Sequence, residues 1–318
     1  MDTRVCEGIT ECSLRRRMKH LFIINPVAGG KKGYYKEVEQ EILACVGNLG
    51  VPYEIYVTKG PMDATKKIIE DAMSEDELYV YACGGDGTLN ECANGAANHD
   101  NVVITHYPCG TGNDFIKTFG KENVQKFCDL QSLINGEVRS LDLINCNGRF
   151  GINICSVGID ARIGNDVHKY SSIPIIGGAT GYVVSLIVNV IKGVKQNFRI
   201  ACDELRQEKP ITLACACNGR YYGGGFNPAP EALPDDGFID FLIVDGVSRL
   251  KVAKIVDKYA KGEYRECLDI ITYIRGTSMQ IEGDEEFVVN IDGEIVRTDK
   301  ISFEIVPRGV KFLLPQGL

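Results

Sequence analysis

Two patterns of apolar and polar residues divide the chain near residue 140. Before it, short apolar runs typical of β-strands alternate with stretches in which apolar residues recur every three or four positions, as on one helix face. The strand-like runs are residues 21–25, 53–57, 78–82 and 102–105, and the helix-like runs are residues 34–46 and 63–73, with Asp63 as an expected N-cap. This alternation predicts a parallel sheet with helices on both faces.

After residue 140 the apolar runs are short and alternate with polar residues, which favours antiparallel β-structure. The first two runs flank Cys146-Asn147-Gly148, a typical hairpin sequence. Two helices are expected to interrupt this part, one near residues 183–194 and one over residues 250–260 with Ser248 as its cap. The chain is therefore expected to form an extension over residues 1–18, an α/β domain over 19–139 and a mostly antiparallel β domain over 140–309.

Composition narrows the function classes. The 318 residues carry a formal charge of −8 and give a pI near 5.2, which disfavours a nucleic-acid partner held by a general basic field. No run of about 18 apolar residues suggests a transmembrane segment, and with no visible signal peptide we expect a cytoplasmic protein. The 13 cysteines form no C-x-x-C pair and the four histidines are isolated, so free thiols are favoured over disulfides or a zinc site.

The segment GGDGTLNE, residues 84–91, follows an apolar strand and opens a helical run. Gly84, Gly85 and Gly87 have no Cβ, so the backbone can aim N–H groups at an anion in front of the helix. The segment lacks the Lys-Ser/Thr ending of a P-loop and the glycine spacing of a dinucleotide fingerprint. Taken alone, it fits a tight turn as well as a phosphate site.

Two further loops, residues 25–30 and 108–115, also follow predicted strands. Ligands of parallel sheets bind at the carboxyl ends of the strands, and all three loops belong to that edge. Three such loops at one edge favour a nucleotide cleft over three unrelated turns.

With these loops in this order, the chain resembles the soluble lipid kinases of the diacylglycerol kinase catalytic family, which sphingosine and ceramide kinases resemble more distantly. The motifs span residues 21–315: Asn25-Pro-x-Ala-Gly29, GGDGTLNE, Pro108-x-Gly-Thr-x-Asn-Asp-Phe115, Asp235-Asp236-Gly237 and Asp292-Gly293-Glu294. The resemblance implies an N-terminal ATP-binding α/β domain like that of phosphofructokinases and NAD kinases, with a parallel sheet. It also implies a C-terminal β-sandwich that holds the lipid, and a last strand, within residues 310–318, that completes the first domain.

The resemblance further implies the residues of the site. Those expected to contact ATP are Asn25, Pro26, Val27, Ala28, Gly29, Thr58, Gly84, Gly85, Asp86, Gly87, Thr88, Leu89, Asn90 and Thr111. Asp86 is also expected to hold Mg²⁺ or its waters, because carboxylate oxygens suit this ion. Asp114 either serves the same network or caps the helix that follows it.

Glu294 is the expected general base, which takes the proton of the attacking lipid hydroxyl. The residues alone favour a two-residue hairpin turn at Asp292-Gly293 with Glu294 as its solvated flank. The resemblance reverses that preference, because the glutamate of the matching motif carries the base role.

A second, structural Mg²⁺ is implied by the match of Leu233, Asp236 and Phe238 to positions that bind this ion in bacterial lipid kinases, through one carboxylate and two main-chain carbonyls. The same residues also suit a Pro-Asp-Asp-Gly turn that enters the next strand. Both interpretations are compatible with each other.

The expected function is ATP- and Mg²⁺-dependent phosphorylation of diacylglycerol or a similar lipid alcohol, such as a sphingoid base. One alternative is a small-molecule kinase of the NAD kinase type, and another is a catalytically silent nucleotide-binding protein. A lipid substrate implies peripheral contact with the inner face of the membrane, through Arg15 to Arg17 with Lys19 or through Lys31-Lys32. These cations also suit a solvated surface, or ATP steering by Lys31-Lys32. A homodimer is compatible with the sequence.

Overall fold

The computed structural model describes residues 18–29, 33–47, 50, 52–158 and 195–318. The helix expected near residues 183–194 lies outside the described residues. So do the basic residues Arg15 to Arg17 and Lys31-Lys32, and nearly all of the expected extension.

The first part of the chain alternates strands and helices. Its elements are β1 (Met18–Ile24), α1 (Tyr34–Val46), β2 (Tyr53–Val57), α2 (Asp63–Ala72), β3 (Glu77–Gly84), α3 (Asp86–Ala96), β4 (Val102–Pro108), 3₁₀ turns at Phe115–Phe119 and Lys121–Asn123, α4 (Val124–Phe127) and α5 (Leu130–Ile134). The strands lie in the order β2, β1, β3, β4, and each neighbouring pair is parallel. Their carboxyl ends therefore share one edge of the sheet.

Apolar periodicity explains these elements. Residues 21–24 of β1 are at most 1% exposed, as expected for a strand covered on both faces. Helix α1 buries Val38, Ile42 and Val46, which recur every fourth residue and form one apolar stripe.

The start of α2 differs from the prediction. Asp63 is the first helical residue rather than the N-cap, because Met62 before it adopts the left-handed conformation, with φ of 61°. The Asp63 carboxylate accepts a hydrogen bond from Lys59 N (2.7 Å) outside the helix. The Glu91 carboxylate of α3 accepts one from Ala64 N (3.2 Å), so a neighbouring helix supplies an acceptor for the first turn of α2.

The proposed membrane role of Lys19 is wrong. Its ammonium group pairs with Glu54 (2.6 Å) and Asp71 (2.8 Å), and its side chain is only 15% exposed. Lys67 contacts the same two carboxylates at 2.8 and 3.0 Å. These four charges hold β1, β2 and α2 together, which leaves Lys19 unable to reach a lipid headgroup.

The second part is rich in β-structure, as predicted. Its elements are β5 (Glu137–Cys146), β6 (Arg149–Gly151), β7 (Ile154–Gly158), β8 (Gln196–Cys202), β9 (Leu205–Cys217), β10 (Ile239–Asp245), α6 (Arg249–Ala260), a 3₁₀ turn at Tyr264–Cys267, β11 (Ile271–Gly276), β12 (Ser278–Ile291) and β13 (Glu294–Leu314). Asn147 and Gly148 turn β5 into β6 with φ of 52° and 91°. Ser248 caps α6 by accepting a hydrogen bond from Lys251 N (3.3 Å), and both features confirm the predictions.

Strand β9 lies between two apolar cores of the second part. Ala214 and Ala216 face one core, whereas Leu213, Cys215 and Cys217 face the other, which α6 covers. This alternation follows from the period of two along a strand, and it places apolar layers on both faces of β9.

Strand β13 joins the two parts of the fold. It pairs antiparallel with β12 and β5, and its end runs parallel to β4, with Phe312 opposite Ile104. The thirteen strands that the structure describes therefore form one hydrogen-bonded sheet. Within the described ranges, no helix is long and apolar enough to cross a bilayer.

We expect Phe312→Ala to lower the free energy of unfolding by about 3–5 kcal/mol, the usual cost of truncating a buried Phe. Phe312 is fully buried, with its ring centroid 5.6 Å from that of Phe115 and 6.0 Å from that of Phe119. Urea unfolding followed by circular dichroism measures the loss. The control is Leu250→Ala, since this leucine is 78% exposed. Similar losses in both variants would contradict the role of Phe312, near the end of β13, in the apolar core of the first part.

Candidate active site

Three loops meet at the carboxyl ends of β1, β3 and β4. The first loop, at residues 25–29, is tied to the end of β3 by Asn25, whose backbone N–H donates to the Cys83 carbonyl (3.1 Å) just before the second loop begins. The third is tied to the second by the N–H groups of Cys109 and Gly110, which donate to the Gly84 carbonyl at 2.8 and 3.1 Å. The structure thus brings together the three loops that the sequence singles out.

The second loop leads directly into α3. Gly85 is the N-cap of this helix, and since glycine has no side chain, no side chain at this position caps the helix. The first N–H groups of an α-helix have no acceptor within the helix and carry the positive end of its dipole, so they attract an anion. A Cβ at Gly84 would lie 2.2 Å from Thr88 Oγ1, and one at Gly110 would lie 2.5 Å from Gly85 Cα. The Thr88 side chain at Gly84 and the backbone of Gly85 at Gly110 therefore leave no room for a Cβ.

Residues 25–29 form a tight turn beside α3. Val27 N donates to Asn25 Oδ1 and Ala28 N donates to the Asn25 carbonyl, each at 3.1 Å. Asn25 Nδ2 donates to Thr88 Oγ1 (3.1 Å), which fixes this turn against the first turn of the helix. Thr58, at the end of β2, donates its N–H to the Ile24 carbonyl (2.9 Å) and so lies at the same edge.

Two carboxylates lie beside the glycine loops. Asp86, in the first turn of α3, accepts hydrogen bonds through Oδ1 from the N–H groups of Asp114 (2.8 Å) and Phe115 (3.4 Å). A Cβ at Gly112 would lie 2.9 Å from Asp86 Oδ2 and 3.6 Å from Asp114 Oδ2. Because Gly112 has no side chain, space stays open between these two carboxylate oxygens, which are of the donor type that Mg²⁺ and its waters bind.

Asp114 contacts both parts of the chain and is 4% exposed. Its Oδ1 pairs with Lys117 Nζ (2.5 Å), and its Oδ2 accepts a hydrogen bond from Gly224 N (2.7 Å). It stands at the N-cap position of the following 3₁₀ turn, but its side chain makes no capping hydrogen bond. The capping interpretation of this carboxylate is therefore wrong, and Asp114 instead links the third loop to the second part.

Burial raises the pKa of Asp86, and the Asp114 carboxylate acts in the same direction. His106, which the sequence did not single out, lowers that pKa together with the two backbone hydrogen bonds. The imidazole is buried below the loop, with Nε2 3.1 Å from the Gly84 carbonyl, and burial lowers its own pKa.

Glu294 reaches the same site from the second part of the chain. It is the exposed first residue of β13, and its Oε1 lies 3.9 Å from the position that a Cβ on Gly87 would take. Asp292 and Gly293 form the two-residue turn between β12 and β13, with φ of 50° and 99°. The turn interpretation is therefore right, and the same turn directs Glu294 toward the first turn of α3.

The Asp292 carboxylate also accepts several hydrogen bonds, which its position in a turn sequence did not suggest. They come from Asn90 Nδ2 and from the backbone N–H groups of residues 152–154, at 2.6 to 3.1 Å. Burial raises the pKa of Asp292 to about 6, although these hydrogen bonds act in the opposite direction.

Asp142 is another buried carboxylate that the sequence analysis did not single out. It is 1% exposed and accepts hydrogen bonds from the N–H groups of Gly237 and Arg308, both at 2.7 Å. Its position inside the apolar run Leu-Asp-Leu-Ile was the available signal.

Not every residue expected to contact ATP directs its side chain to the loops. Leu89 is fully buried in the apolar core of the first part. Asn90 is 2% exposed, and its Nδ2 donates to the Phe150 carbonyl (2.9 Å) as well as to Asp292. Thr111 is exposed in the third loop. Leu89 and Asn90 thus use their side chains for packing and for contact with the second part.

The residues expected to hold a second Mg²⁺ do not offer a carboxylate to it in this arrangement. Asp236 Oδ1 accepts a hydrogen bond from Phe238 N (3.0 Å), and Oδ2 pairs with the Arg275 guanidinium. In this arrangement Arg275 thus occupies the carboxylate that the expected second Mg²⁺ would use, and the site stays a prediction.

Two family models match this chain. The model described as the diacylglycerol kinase catalytic domain matches residues 19–146. The model described as the YegS C-terminal NAD kinase beta sandwich-like domain matches residues 153–314. The first covers the three loops, and the second covers the β-rich part with Glu294.

Similar proteins and structures point to the same family. A protein of Staphylococcus aureus (strain JH9), named "putative lipid kinase", is 27% identical over 246 residues, which are 77% of this chain and 80% of that protein. A solved structure titled "putative diacylglycerol kinase", from Bacillus anthracis, has a TM-score of 0.75 and 27% identity over 95% of this chain and 98% of that one. A diacylglycerol kinase structure from the same organism, with a TM-score of 0.67 and 23% identity, shares the fold over 95% of this chain and 98% of its own.

Proposed function

The chain belongs to the diacylglycerol kinase catalytic family of lipid kinases, and we propose that it transfers the γ-phosphate of ATP to the hydroxyl of diacylglycerol or a similar lipid alcohol, with Mg²⁺. One observation carries the proposal: the Glu294 carboxylate, from the second part of the chain, stands beside Gly87 at the start of α3. A proton acceptor and a phosphate site then share one cleft, which is what transfer to an alcohol requires.

The phosphates of ATP would lie against the first turn of α3. The N–H groups at this end and the helix dipole favour negative charge. Asn25 and Gly84 hold the surrounding loops by the hydrogen bonds and close contacts described above. Such fixed N–H groups cost little reorganisation when negative charge shifts during the transfer.

Asp86 and Asp114 would hold Mg²⁺ or its waters. Mg²⁺, when bound, neutralises charge on the phosphate oxygens. The two N–H groups that donate to Asp86 Oδ1 orient this carboxylate with Oδ2 toward Gly112. Lys117 pairs with Asp114 Oδ1 and Gly224 N donates to its Oδ2, so both carboxylates are held in place before substrate arrives.

Glu294 would act as general base. The lipid hydroxyl oxygen attacks the γ-phosphorus, and its proton passes to the Glu294 carboxylate. As the new O–P bond forms, the bond from the γ-phosphorus to the bridging oxygen breaks and ADP leaves. The products are a phosphorylated lipid and ADP, and the proton on Glu294 returns to water.

The lipid class of the acceptor is supported by the family and by the names of the similar proteins. A lipid acceptor requires reversible contact between the protein and a membrane surface, which we propose as part of the function. Lys19 takes no part in that contact, since its charge is used within the first part of the fold.

A panel assay tests this proposal. The protein is incubated with Mg²⁺, [γ-³²P]ATP and either detergent micelles of diacylglycerol, sphingosine or a polyprenol, or NAD in solution, and the products are separated by thin-layer chromatography. We expect a labelled lipid, with diacylglycerol as the best acceptor. EDTA should abolish the label and excess Mg²⁺ should restore it. Label in NAD and in no lipid would overturn the proposal.

A further inference from the structure

We propose that the hydrogen bond between Asn90 and Asp292 positions the Glu294 carboxylate over the start of α3, so that Asn90 serves the reaction through the base rather than through ATP. The inference rests on the proposed function, because it concerns the residue assigned there as base. Asn90 and Asp292 are positioning residues in this scheme, since neither contacts the reacting atoms.

The Asp292 carboxylate is a junction between the two parts of the chain. Its Oδ1 accepts hydrogen bonds from the N–H groups of Asn153 (3.1 Å) and Ile154 (2.9 Å). Its Oδ2 accepts them from Ile152 N (2.6 Å) and from Asn90 Nδ2 (2.9 Å). Three of these donors fix the turn within the second part, and Asn90 alone extends the network to α3.

Further hydrogen bonds hold the turn between β12 and β13 on the β12 side. Gly293 N donates to Asn290 Oδ1 (2.6 Å), and Ile291 pairs with Glu294 across the hairpin. Only Gly293 separates Asp292 from the base. Because one residue separates them, a displacement of the Asp292 backbone would be passed on to Glu294.

One face of α3 presents the matching residues. Gly87, Asn90 and Asn94 are three and four positions apart, so they lie on one side of the helix. Glu294 stands beside Gly87, and Asn90 lies one turn further along. Asn94, a further turn away, contacts the second part through Phe150, as donor to its carbonyl (2.8 Å) and acceptor from its N–H (3.0 Å).

Asn94→Ala is the comparison variant for Asn90→Ala, because it removes the contacts of Asn94 with Phe150 and its hydrogen bond to Asn90 Oδ1 (3.2 Å) but leaves the Asn90–Asp292 hydrogen bond in place. Both asparagines lie on the same face of α3 and donate to the Phe150 carbonyl, but only Asn90 reaches the turn that carries Glu294. Loss of general contact between the two parts would affect both variants. Loss of positioning would affect Asn90 alone.

The test compares Asn90→Ala and Asn90→Asp with Asn94→Ala in the full chain. We expect Asn90→Ala to lower kcat about 10- to 100-fold, because a displacement of about 1 Å in a reacting group can cost that much. KM for ATP should stay within about threefold, since α3 keeps its N-terminus. Asn90→Asp should be slower still, because two carboxylates then face each other. Asn94→Ala should keep kcat within about threefold of the unsubstituted protein.

A second readout does not depend on turnover. Hydrogen exchange followed by mass spectrometry should show faster exchange of the amides of residues 152–154 and 292–294 in Asn90→Ala than in Asn94→Ala. Unchanged exchange in Asn90→Ala would overturn the inference whether or not the protein phosphorylates lipid. With an active unsubstituted enzyme, equal kcat values for Asn90→Ala and Asn94→Ala would overturn it too, while the proposed function would stand.

Discussion

Glu294→Gln is expected to lower kcat for lipid phosphorylation by a factor on the order of 10² to 10⁴, the usual contribution of a positioned general base. Glutamine keeps the size of the side chain but cannot accept the proton of the lipid hydroxyl. The Glu294 side chain is exposed, so stability should change by less than about 0.5 kcal/mol. Steady-state kinetics with diacylglycerol micelles, together with thermal unfolding, measures both quantities.

The matched control is Asp299→Asn, which neutralises another exposed acid of the same strand, β13. This variant should keep the kcat of the unsubstituted protein. KM for ATP should also be similar in both variants, because neither residue lies in the glycine loops. A Glu294→Gln enzyme with more than about a third of the normal kcat would remove Glu294 from the base role and with it the proposed mechanism.

Asp86→Asn is expected to lower kcat by about 10² or more and to raise the Mg²⁺ concentration needed for half-maximal activity. Asparagine retains an oxygen that can accept the hydrogen bonds from Asp114 N and Phe115 N, so the third loop should stay in place. What is lost is the negative charge at Oδ2, which faces the space beside Gly112. The effect should therefore fall on metal-dependent catalysis rather than on folding.

Asp129→Asn provides the control for Asp86→Asn. The Asp129 carboxylate also accepts hydrogen bonds from two backbone N–H groups, those of Gln131 (3.0 Å) and Ser132 (3.2 Å), but at the start of α5. Its replacement should leave the Mg²⁺ dependence unchanged. An Asp86→Asn enzyme with a normal Mg²⁺ titration would contradict the metal role, and a large fall in melting temperature would show a structural role instead.

Local sequence was enough for much of the secondary structure. The turn at Asn147-Gly148 follows from the ease with which these residues adopt positive φ, and the start of α6 follows from the hydroxyl of Ser248. Asp63 failed as a cap because Met62 takes the left-handed conformation, which its own side chain does not favour. The Lys19 ion pairs could not be foreseen, because Glu54 and Asp71 approach only when the sheet and α2 form.

Some parts of the candidate site could be predicted from the sequence, and others could not. The glycine loops are local, and parallel strands suffice to bring their ends to one edge. The approach of Glu294 to Gly87 depends on the packing of two parts of the fold, and only the resemblance to a family indicated it. The role of the Asp292 carboxylate was hidden, because its donors come from Asn90 and residues 152–154, far away in the sequence.

In the proposed reaction, one cleft passes the γ-phosphate of ATP to a lipid hydroxyl. The most direct measurement compares label in diacylglycerol after incubation of the unsubstituted protein and Mg²⁺ with [γ-³²P]ATP or with [α-³²P]ATP. The expected result is a labelled phosphatidic acid with the γ-labelled nucleotide and none with the α-labelled one. No labelled lipid with either nucleotide, from a folded protein that binds ATP, would contradict the proposed reaction.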